Sequence, residues 1–444
     1  MIIKSFKAKN VFGYLNFDIE FNDDISFLVG GNGSGKTTAL KLMNALVNPS
    51  FKDLLQISFE EICLEIKDQN EIIVISAREE NDNKILKISS LDSELLLPSY
   101  SNIEFYSHQS KKLEDIIDNI NREFSDHEIV RKISQIQSPI FLGLDRKRED
   151  SVSYSNDLFL EREMGLGHRT KRSIAAKRLI KGSLGISLME TELLVQNSYK
   201  RLRELEERQS TKLRDSILLS AFQYSNIDVE IMESNLVDWK EKQGLLQRQK
   251  EIKEALSKIG GEDSKLSSEV DKFFNQITSL FEQLSDSEKG LSIEWLLNKA
   301  QIERITKIVE IIDEHKSKVD GFFKPINDFL FTINSFYEDS NKKLEIDTVG
   351  HLIIVRPNGD KCTIEGLSSG ERQLLVIFAH AYFSHNSKRQ LAFIIDEPEL
   401  SLHLKWQEKF AETIFSIGPK SQFILATHSP EIVGVNKDKA VRCR

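Results

Sequence analysis

The chain contains 444 residues, of which 40% are hydrophobic and 29% are charged. This composition is typical of a soluble globular protein with about two to four domains of ordinary size, and it excludes collagen-like, disulfide-scaffolded and wholly disordered chains. The net charge of −9 repels phosphate backbones, so any contact with nucleic acid requires a local basic patch.

Cysteines are few and widely separated. Cys63, Cys362 and Cys443 form no C-x-x-C pair, which predicts neither a disulfide framework nor a thiolate zinc site and fits a reducing cytoplasm. The N-terminus lacks the long apolar region of a secretory signal, and no stretch reaches the ~18 apolar residues of a membrane span. We therefore expect a cytoplasmic protein with no membrane partner.

The N-terminal part of the chain reads mainly as strands. Alternating apolar and polar side chains predict half-buried strands at 2–9 and 15–21, and a buried strand at 25–29 runs into glycines before a helix begins at Lys36. Further β-rich runs predict an antiparallel lobe. They lie at 62–66, 72–75, 85–88 and 103–106.

The middle of the chain is mostly helical from about 111 to 345, interrupted once by a strand-like run at 140–144. Apolar residues at three-four spacing predict helices with one buried face in an arm at 185–340. Pro325 either kinks its helix or starts a new one. Each apolar repeat lasts only about two or three heptads, which is too short for a long coiled coil.

Strands return after residue 344. Runs at 352–355 and 362–364 flank an Asn-Gly pair that favours a tight hairpin. The elements predicted next are a helix from Gly370, a strand at 391–395, a helix from His403 and a strand at 422–426.

A phosphate-binding loop is predicted between the strand at 25–29 and the helix that follows. Residues 30–37, Gly-Gly-Asn-Gly-Ser-Gly-Lys-Thr, satisfy G-x-x-x-x-G-K-[ST]. The glycines let backbone N–H groups converge on phosphate oxygens, Lys36 neutralises the β- and γ-phosphates, and Thr37 can ligate Mg²⁺. The candidate ligands of ATP here are Asn32, Gly33, Ser34, Gly35, Lys36, Thr37 and Thr38.

Two carboxylates follow the apolar strand at 391–395. Such a strand is buried on both faces and delivers its C-terminal residues to the ligand crevice of an α/β sheet. Asp396 is therefore a candidate Mg²⁺ ligand, usually through water, and Glu397 is a candidate general base for the attacking water. Without the phosphate loop, a helix cap would be a serious alternative for this pair.

A third motif precedes these carboxylates. Residues 367–373, Leu-Ser-Ser-Gly-Glu-Arg-Gln, resemble the L-S-G-G-Q signature of the ATP-binding-cassette superfamily. The resemblance implies that Ser368 and Gly370 contact the γ-phosphate held by the opposite protomer, and it adds Ser369 and Glu371 to the candidate ligands. Glu371 departs from the glutamine of the family.

His428 follows the predicted strand at 422–426 and matches the switch histidine of the same superfamily, which senses the γ-phosphate. With Lys36 and Glu397 it makes up the candidate catalytic set. The segment 397–403, Glu-Pro-Glu-Leu-Ser-Leu-His, resembles the D-E-P-E-x-x-L-H segment of stand-alone cassette ATPases, including those of overcoming-lysogenization-defect nucleases. In that family the segment lines a dimer interface.

The long separation between the phosphate loop and the signature resembles the SMC, DNA-repair and lysogenization-defect branch, whose head is assembled from both chain ends. The fold implied is α/β, a cassette-type P-loop ATPase head with an antiparallel β lobe, plus a mainly helical insertion like a short coiled-coil arm. The expected parts are the N-terminal half of the head (1–110), a helical and basic segment with one sheet strand (111–184), the helical arm (185–343) and the C-terminal half of the head (344–444).

The glutamine that completes the metal site of the family is left open. Gln109, after the run at 103–106, is one candidate Mg²⁺ ligand, although an ordinary residue without that role is at least as good an interpretation. Asp145 and Arg146, which follow the strand-like run at 140–144, are rival positions.

Residues 168–182 are basic and contain no acidic residue. They could contact DNA, RNA or an acidic partner, but a solvated helix face explains them equally well, since no aromatic residue is interleaved to stack bases. The basic residues are Arg169, Lys171, Arg172, Lys177, Arg178 and Lys181.

The resemblance implies an ATPase in which two heads sandwich two ATP molecules, as a homodimer or higher homo-oligomer, so that nucleotide binding acts as a dimerisation switch. The chain has no C-x-x-C hook and only a short stretch after His428. We therefore expect a sensor or scaffold ATPase of prokaryotic anti-phage defence, similar to the ATPase subunits of PARIS or Septu, with a separately encoded toxin or nuclease as effector. The alternative is a DNA-maintenance ATPase similar to the RecF family; the long insertion disfavours a transporter cassette.

Overall fold

The computed structural model describes residues 1–48, 51–98, 113–143, 183–221, 248–279, 293–384 and 391–443, apart from positions 70, 82, 261–267, 269, 273, 277 and 419. The strands are β1 (Ile2–Val11), β2 (Leu15–Glu20), β3 (Ile25–Val29), β4 (Glu61–Asp68), β5 (Glu71–Glu80), β6 (Asn83–Ile88), β7 (Glu94–Leu97), β8 (Ile140–Leu142), β9 (Lys343–Ile346), β10 (Leu352–Val355), β11 (Lys361–Thr363), β12 (Ala392–Asp396), β13 (Gln422–Thr427) and β14 (Ala440–Arg442). The helices are α1 (Lys36–Val47), α2 (Lys52–Gln56), α3 (Leu113–Glu123), α4 (Glu128–Gln135), α5 (Ser183–Ala221), α6 (Gln249–Gly260), α7 (Ile293–Tyr337), α8 (Ser369–Phe383), α9 (Leu404–Ile417) and α10 (Pro430–Val433).

A five-stranded sheet in the order β14-β3-β13-β12-β8 carries the candidate nucleotide motifs. Within this sheet, every strand runs parallel to its neighbours. The strands β3, β12 and β13 are buried along almost their whole length, as expected of parallel strands covered on both faces. Asp396 lies opposite Ala426, and Thr427 lies opposite Val29. The ends of three motif-bearing strands therefore meet at one edge of the sheet.

The antiparallel lobe predicted from the sequence is confirmed as a six-stranded sheet in the order β2-β1-β4-β5-β6-β7. Side chains of β2 alternate between buried and exposed, because one face of the sheet is covered and the other is open. A separate three-stranded antiparallel sheet, β11-β10-β9, contains the predicted hairpin, in which Gly359 adopts a φ of 84°.

The helix α1 lies between the two larger sheets. It contacts β4 and β5 of the antiparallel sheet and β12 of the parallel sheet. Leu40 and Met43 of this helix share one hydrophobic core with Phe6 of β1 and Ile394 of β12. Burial of this helix on both sides fixes the start of α1, and with it the phosphate loop, against the sheet edge.

The chain forms two compact units, Met1–Gln196 with Phe329–Arg444, and Asn197–Asp328. The last two turns of α7 belong to the first unit, because their aromatic rings pack on α8. Phe329 lies 5.0 Å from Phe383 between ring centroids, and Phe336 lies 5.3 Å from Phe378. The second unit is consequently shorter than the arm expected at 185–343.

The second unit is helical, and its long helices run further than the apolar repeats suggested. The helix α5 has 39 residues and α7 has 45. Pro325 lies inside α7 and starts no new helix. Polar stretches rich in good helix formers, with pairs such as Arg203–Glu206 at 2.7 Å, continue a helix where the apolar pattern fades.

Some sequence predictions fall outside the described residues. These are the strand at 103–106, the metal-site candidates Gln109, Asp145 and Arg146, and the basic segment 168–182. Among the helices that the structure describes, none is long and apolar enough to cross a membrane.

Candidate functional site

The phosphate loop connects the buried strand β3 to α1 with the conformation its glycines allow. Gly33 and Gly35 adopt φ values of 80° and 88°, which L side chains rarely tolerate. A Cβ on Gly35 would also lie 2.7 Å from Cζ of Phe17. Glycine at 35 is therefore required by both the backbone and the neighbouring strand β2.

Lys36 is held inside this loop by acceptors of its own chain. Its Nζ donates to the carbonyl oxygen of Gly30 at 2.8 Å and lies 2.7 Å from Nε2 of His428. An ammonium can only donate, so His428 accepts at this nitrogen. Burial lowers the pKa of Lys36, although the nearby acidic groups oppose that shift.

Asp396 and Thr37 come together at the edge of the parallel sheet. Burial raises the pKa of Asp396, a hydrogen bond from Thr37 opposes the shift, and the charge of Glu397 adds to it. The Oδ1 atom of Asp396 is buried without a hydrogen-bond partner. The hydroxyl of Thr37 and the unpaired oxygen of Asp396 are suitable ligands for Mg²⁺. This ion commonly takes one or two ligands from the protein, while phosphates and waters supply its other ligands. A dedicated protein cage is absent from the described residues, where no group of three or more His, Cys, Asp or Glu could hold a metal.

Glu397 has an unusual backbone conformation for a residue with a side chain. Its φ is 50°, in the left-handed region that costs L residues roughly 1 kcal/mol or more. Its N–H donates to the carbonyl of Ala426 at 2.8 Å, and its carbonyl accepts from the N–H of Leu400 at 3.0 Å. Such strained residues cluster at functional sites, where their surroundings hold them in place.

His428 directly follows β13, and a carboxylate that was not predicted to act here fixes its backbone. Glu399 accepts from the N–H of His428 at 2.6 Å and from the hydroxyl of Thr427 at 2.8 Å. The sequence contains Glu399 in the D-E-P-E segment, but nothing in that pattern says which strand the carboxylate reaches. Only the pairing of β12 with β13 brings the two together.

The signature residues form the beginning of α8. The N–H of Ser368 donates to Oε2 of Glu371 at 2.7 Å, and the N–H of Glu371 bonds back to Oγ of Ser368, which completes a capping box. Glu371 is buried and paired with Lys342 at 2.8 Å. Burial alone would raise the pKa of Glu371, but the hydrogen bonds from Lys342 and Ser368 hold it below its ordinary value.

The first turn of α8 packs directly on the segment that follows Glu397. A Cβ on Gly370 would lie 2.3 Å from the carbonyl oxygen of Ser401. The buried amide of Gln373 donates to the carbonyl of Pro398 at 3.0 Å. The sequence motif contains Gln373, but its role was not predicted, because it depends on this contact with another motif.

A cavity of about 250 Å³ lies beside Asp396. Its walls come from the ends of β8 and β12, from α8 and from α5, and its polar lining residues include Glu190, Gln373 and His380. Burial raises the pKa of Glu190 and lowers that of His380 to about 4. His380 is therefore neutral in the folded chain at physiological pH.

A sequence profile described as the AAA ATPase domain matches residues 1–433. The "Retron Vc95 probable ATPase" of Vibrio cholerae serotype O1 biovar El Tor is 28% identical over an alignment of 167 residues, and the alignment covers 34% of this chain and 32% of that protein. The chain thus spans about a third of the length of this curated relative.

Solved structures with some likeness include two Smc head domains. One, from Pyrococcus furiosus, has an extended coiled coil and is bound to the C-terminal domain of ScpA; it has a TM-score of 0.38 and 13% identity, with 97% of this chain and 91% of that chain covered. The other, from Pyrococcus yayanosii, has a coiled coil and joint; its TM-score is 0.36 at 14% identity, with 97% and 93% covered. These scores mark only a loose likeness, and the fold rests on the topology described above.

Proposed function

The chain belongs to the AAA ATPase domain family, and from this premise we propose that it binds and hydrolyses ATP between the heads of two copies. ATP hydrolysis is the activity that membership in a family of ATPase domains assigns to the chain. The observation that carries the proposal is the meeting of Lys36, the Thr37–Asp396 pair and His428 at one edge of the parallel sheet.

Each residue at this edge has a role in the proposed reaction. Lys36 exchanges the carbonyl of Gly30 and the ring of His428 for β- and γ-phosphate oxygens. Thr37 and Asp396 would hold Mg²⁺, which offsets phosphate charge when bound. Glu397 accepts a proton from the attacking water, and His428, released from Lys36, hydrogen-bonds the γ-phosphate.

A second copy completes each nucleotide pocket in this proposal. Ser368 and Ser369 are exposed at the N-terminus of α8, where backbone N–H groups and the helix dipole favour a phosphate. Together with Gly370 they are the residues we assign to the nucleotide of the partner. Glu371 acts here by fixing the start of α8 through Lys342 and Ser340.

The biological role that we propose is a nucleotide-driven switch in prokaryotic anti-phage defence, with an effector carried by a separate protein. The 28% identity with a retron ATPase over 167 residues supports this choice. The alternative, a DNA-maintenance ATPase, depends on nucleic-acid contact through residues 168–182, and no feature of the described residues adds to that case.

The experiment compares Lys36→Ala, Glu397→Gln and wild type for ATP binding, turnover and mass in solution by light scattering. Lys36→Ala should lose ATP binding and remain monomeric, since the phosphate charge is no longer offset. Glu397→Gln should bind ATP, hydrolyse it at least about 100-fold more slowly and accumulate dimers. Glu408→Ala, which removes an exposed glutamate of α9, is the control.

Two results would contradict the proposal. Wild-type turnover in Glu397→Gln would remove Glu397 from the role of general base. A mass that is the same with and without ATP in every variant would show that nucleotide binding does not control dimerisation.

A further inference from the structure

We propose that Glu399 is a positioning residue that holds His428 in place for hydrolysis and connects it, through the turn 397–402, to the signature helix of the same subunit. The inference rests on the proposed ATPase function and concerns how one subunit coordinates two motifs.

One side of the turn is bonded to the strand that carries the histidine. The two carboxylate oxygens of Glu399 divide their partners, with Oε1 accepting from the N–H of His428 at 2.6 Å and Oε2 from Oγ1 of Thr427 at 2.8 Å. The same Thr427 oxygen accepts from the N–H of Ser429 at 3.0 Å. The carboxylate of Glu399 therefore holds Thr427 and His428 directly, and it holds Ser429 through the hydroxyl of Thr427.

The other side of the turn is bonded to α8. Gln373 donates to the carbonyl of Pro398 at 3.0 Å and to that of Glu397 at 3.5 Å. Gly370 approaches the carbonyl of Ser401 so closely that no Cβ would fit. A shift of α8 on engaging a second nucleotide must therefore move the turn, and with it the carboxylate of Glu399.

The turn is also held in a conformation that it would not keep by itself. Glu397 and Ser401 have φ values of 50° and 67°, and two positive-φ residues that are not glycine within five positions require support from neighbours. The bonds from Gln373 on one side and to Thr427 and His428 on the other supply that support. Within the described part of the chain, Glu399 is the only residue of this turn whose side chain hydrogen-bonds to Thr427 or His428.

The position of the His428 ring depends on this anchor. Nε2 of His428 lies 2.7 Å from Nζ of Lys36, so the ring stands where the γ-phosphate would be sensed. Hydrogen bonds to a charged acceptor are about twice as strong as neutral ones. Because a misplacement of about 1 Å at a reacting centre costs on the order of 100-fold in rate, loosening the backbone of His428 should lower kcat rather than nucleotide affinity.

The test is a double-mutant cycle between Glu399→Ala and His428→Ala, with kcat and KM for ATP and the Kd for ADP measured in each variant. We expect Glu399→Ala to lower kcat about 10- to 100-fold and to leave ADP binding within about twofold. In the His428→Ala background the same change should lower kcat by no more than about twofold, since the group it positions is gone. Glu399→Gln should recover much of the loss, because its amide oxygen still accepts from His428 and its NH₂ can donate to Thr427. Glu408→Ala is the matched control.

A measurement that does not depend on activity keeps the inference testable in every case. The measurement is an NMR spectrum of protein labelled at its 9 histidines. The ring signal of His428 is identified by its loss in His428→Ala. It should shift or broaden in Glu399→Ala and Thr427→Val, and it should stay unchanged in Glu408→Ala.

Three outcomes would overturn the inference. They are a wild-type kcat in Glu399→Ala, an equal loss in the two backgrounds, and an unchanged His428 signal in both Glu399→Ala and Thr427→Val. Failure of the proposed function would give a different result. If ATP were not hydrolysed at this site, Lys36→Ala would have the same ATPase rate as wild type, whatever the effect of Glu399→Ala.

Discussion

Several side chains at the candidate site are held in states that the folded chain would otherwise avoid. Lys36 is buried and has a lowered pKa, Asp396 keeps a buried oxygen without a partner, and Glu397 has a left-handed backbone. Each feature costs stability in the folded chain, and in the proposed reaction each would be offset by phosphate oxygens or a cation. Residues that lower the stability of the folded chain are expected at positions where function, rather than stability, determines the residue.

His380, which lines the cavity beside Asp396, should make stability depend on pH below neutrality. Its pKa is about 4 in the folded chain against 6.5 for the free group. Between these values the unfolded chain binds the proton more readily, so stability is lost as the pH falls from 6.5 to 4, by roughly 3 kcal/mol at most. Thermal unfolding midpoints measured from pH 7 to pH 4 should therefore fall less steeply in His380→Gln than in wild type.

The control for this prediction is His403→Gln, which removes an exposed histidine before α9. It should reproduce the pH dependence of wild type. Glu190 faces the same cavity with a raised pKa and works in the opposite direction, so only the difference between variants isolates the histidine. A slope in His380→Gln equal to that of wild type would contradict the prediction.

At the residue scale, the sequence was most informative where one motif determines its own geometry. The glycines between β3 and α1 predict a loop with unusual backbone conformation, and Gly33 and Gly35 have the positive φ values that glycine allows. Glu371 is the opposite case, since its partner Lys342 lies far away in the sequence and nothing predicts that contact. One signal was available, because Ser368 and Glu371 have the S-x-x-E spacing of a capping box.

At the scale of elements, the buried parallel strands were easy to predict because they are short, largely apolar and followed by the candidate site residues. β3, β12 and β13 lie within one or two residues of their predicted bounds. The lengths of α5 and α7 were not predictable from apolar periodicity. Their polar turns bury little, so they carry no hydrophobic pattern even though they remain helical.

The contact between α8 and the turn 397–402 leads to a prediction about Gly370. In Gly370→Ala the new Cβ would lie 2.3 Å from a backbone oxygen of Ser401, and neither the helix nor the strained turn can yield easily. We expect a loss of about 1–3 kcal/mol in stability together with a large loss of ATP turnover, since Glu397 belongs to that turn. Denaturant unfolding and steady-state kinetics would measure the two effects.

Ser369→Ala is the control for the stability part of this experiment. Ser369 is the exposed neighbour of Gly370 in the same helical turn, so its change should stay within about 0.5 kcal/mol of wild type. If Gly370→Ala were as stable as Ser369→Ala, the close packing of α8 on Ser401 would be refuted.

At the scale of the whole molecule, the two ends of the chain build one α/β unit, and the helical second unit lies between them in the sequence. β3 from the N-terminal part pairs with β13 and β14 from the C-terminal part. The motif order suggested this arrangement only through resemblance to a family, because strand pairing between distant segments leaves no local pattern in the sequence. The boundary at Asn197 and Asp328 was equally hidden, since it falls inside two continuous helices.

If each ATP pocket uses two copies of the chain, two inactive variants should restore activity when mixed. Lys36→Ala removes the lysine that we assign to the phosphates, and Ser369→Arg places a bulky side chain at the exposed start of α8. Lys36→Ala alone stays monomeric, and in a dimer of Ser369→Arg both pockets face a blocked signature. In a heterodimer, the pocket with an intact Lys36 faces an intact signature, so one of its two pockets works. Because one of the two pockets works in each mixed dimer, the turnover of a mixed dimer should reach at most about half that of a wild-type dimer.

Turnover measured across a range of mixing ratios should peak near equal amounts and fall to zero at both ends. The same mixture with Glu408→Ala in place of Ser369→Arg provides the comparison. Glu408→Ala is active without a second variant, so the rate should fall steadily to zero as its share falls instead of peaking between the two ends. Activity that never exceeds that of the separate variants, while mass measurements still detect mixed dimers, would mean that each pocket is completed within a single chain. The signature would then act on the nucleotide only through the turn that joins it to Glu397 and Glu399 in its own subunit.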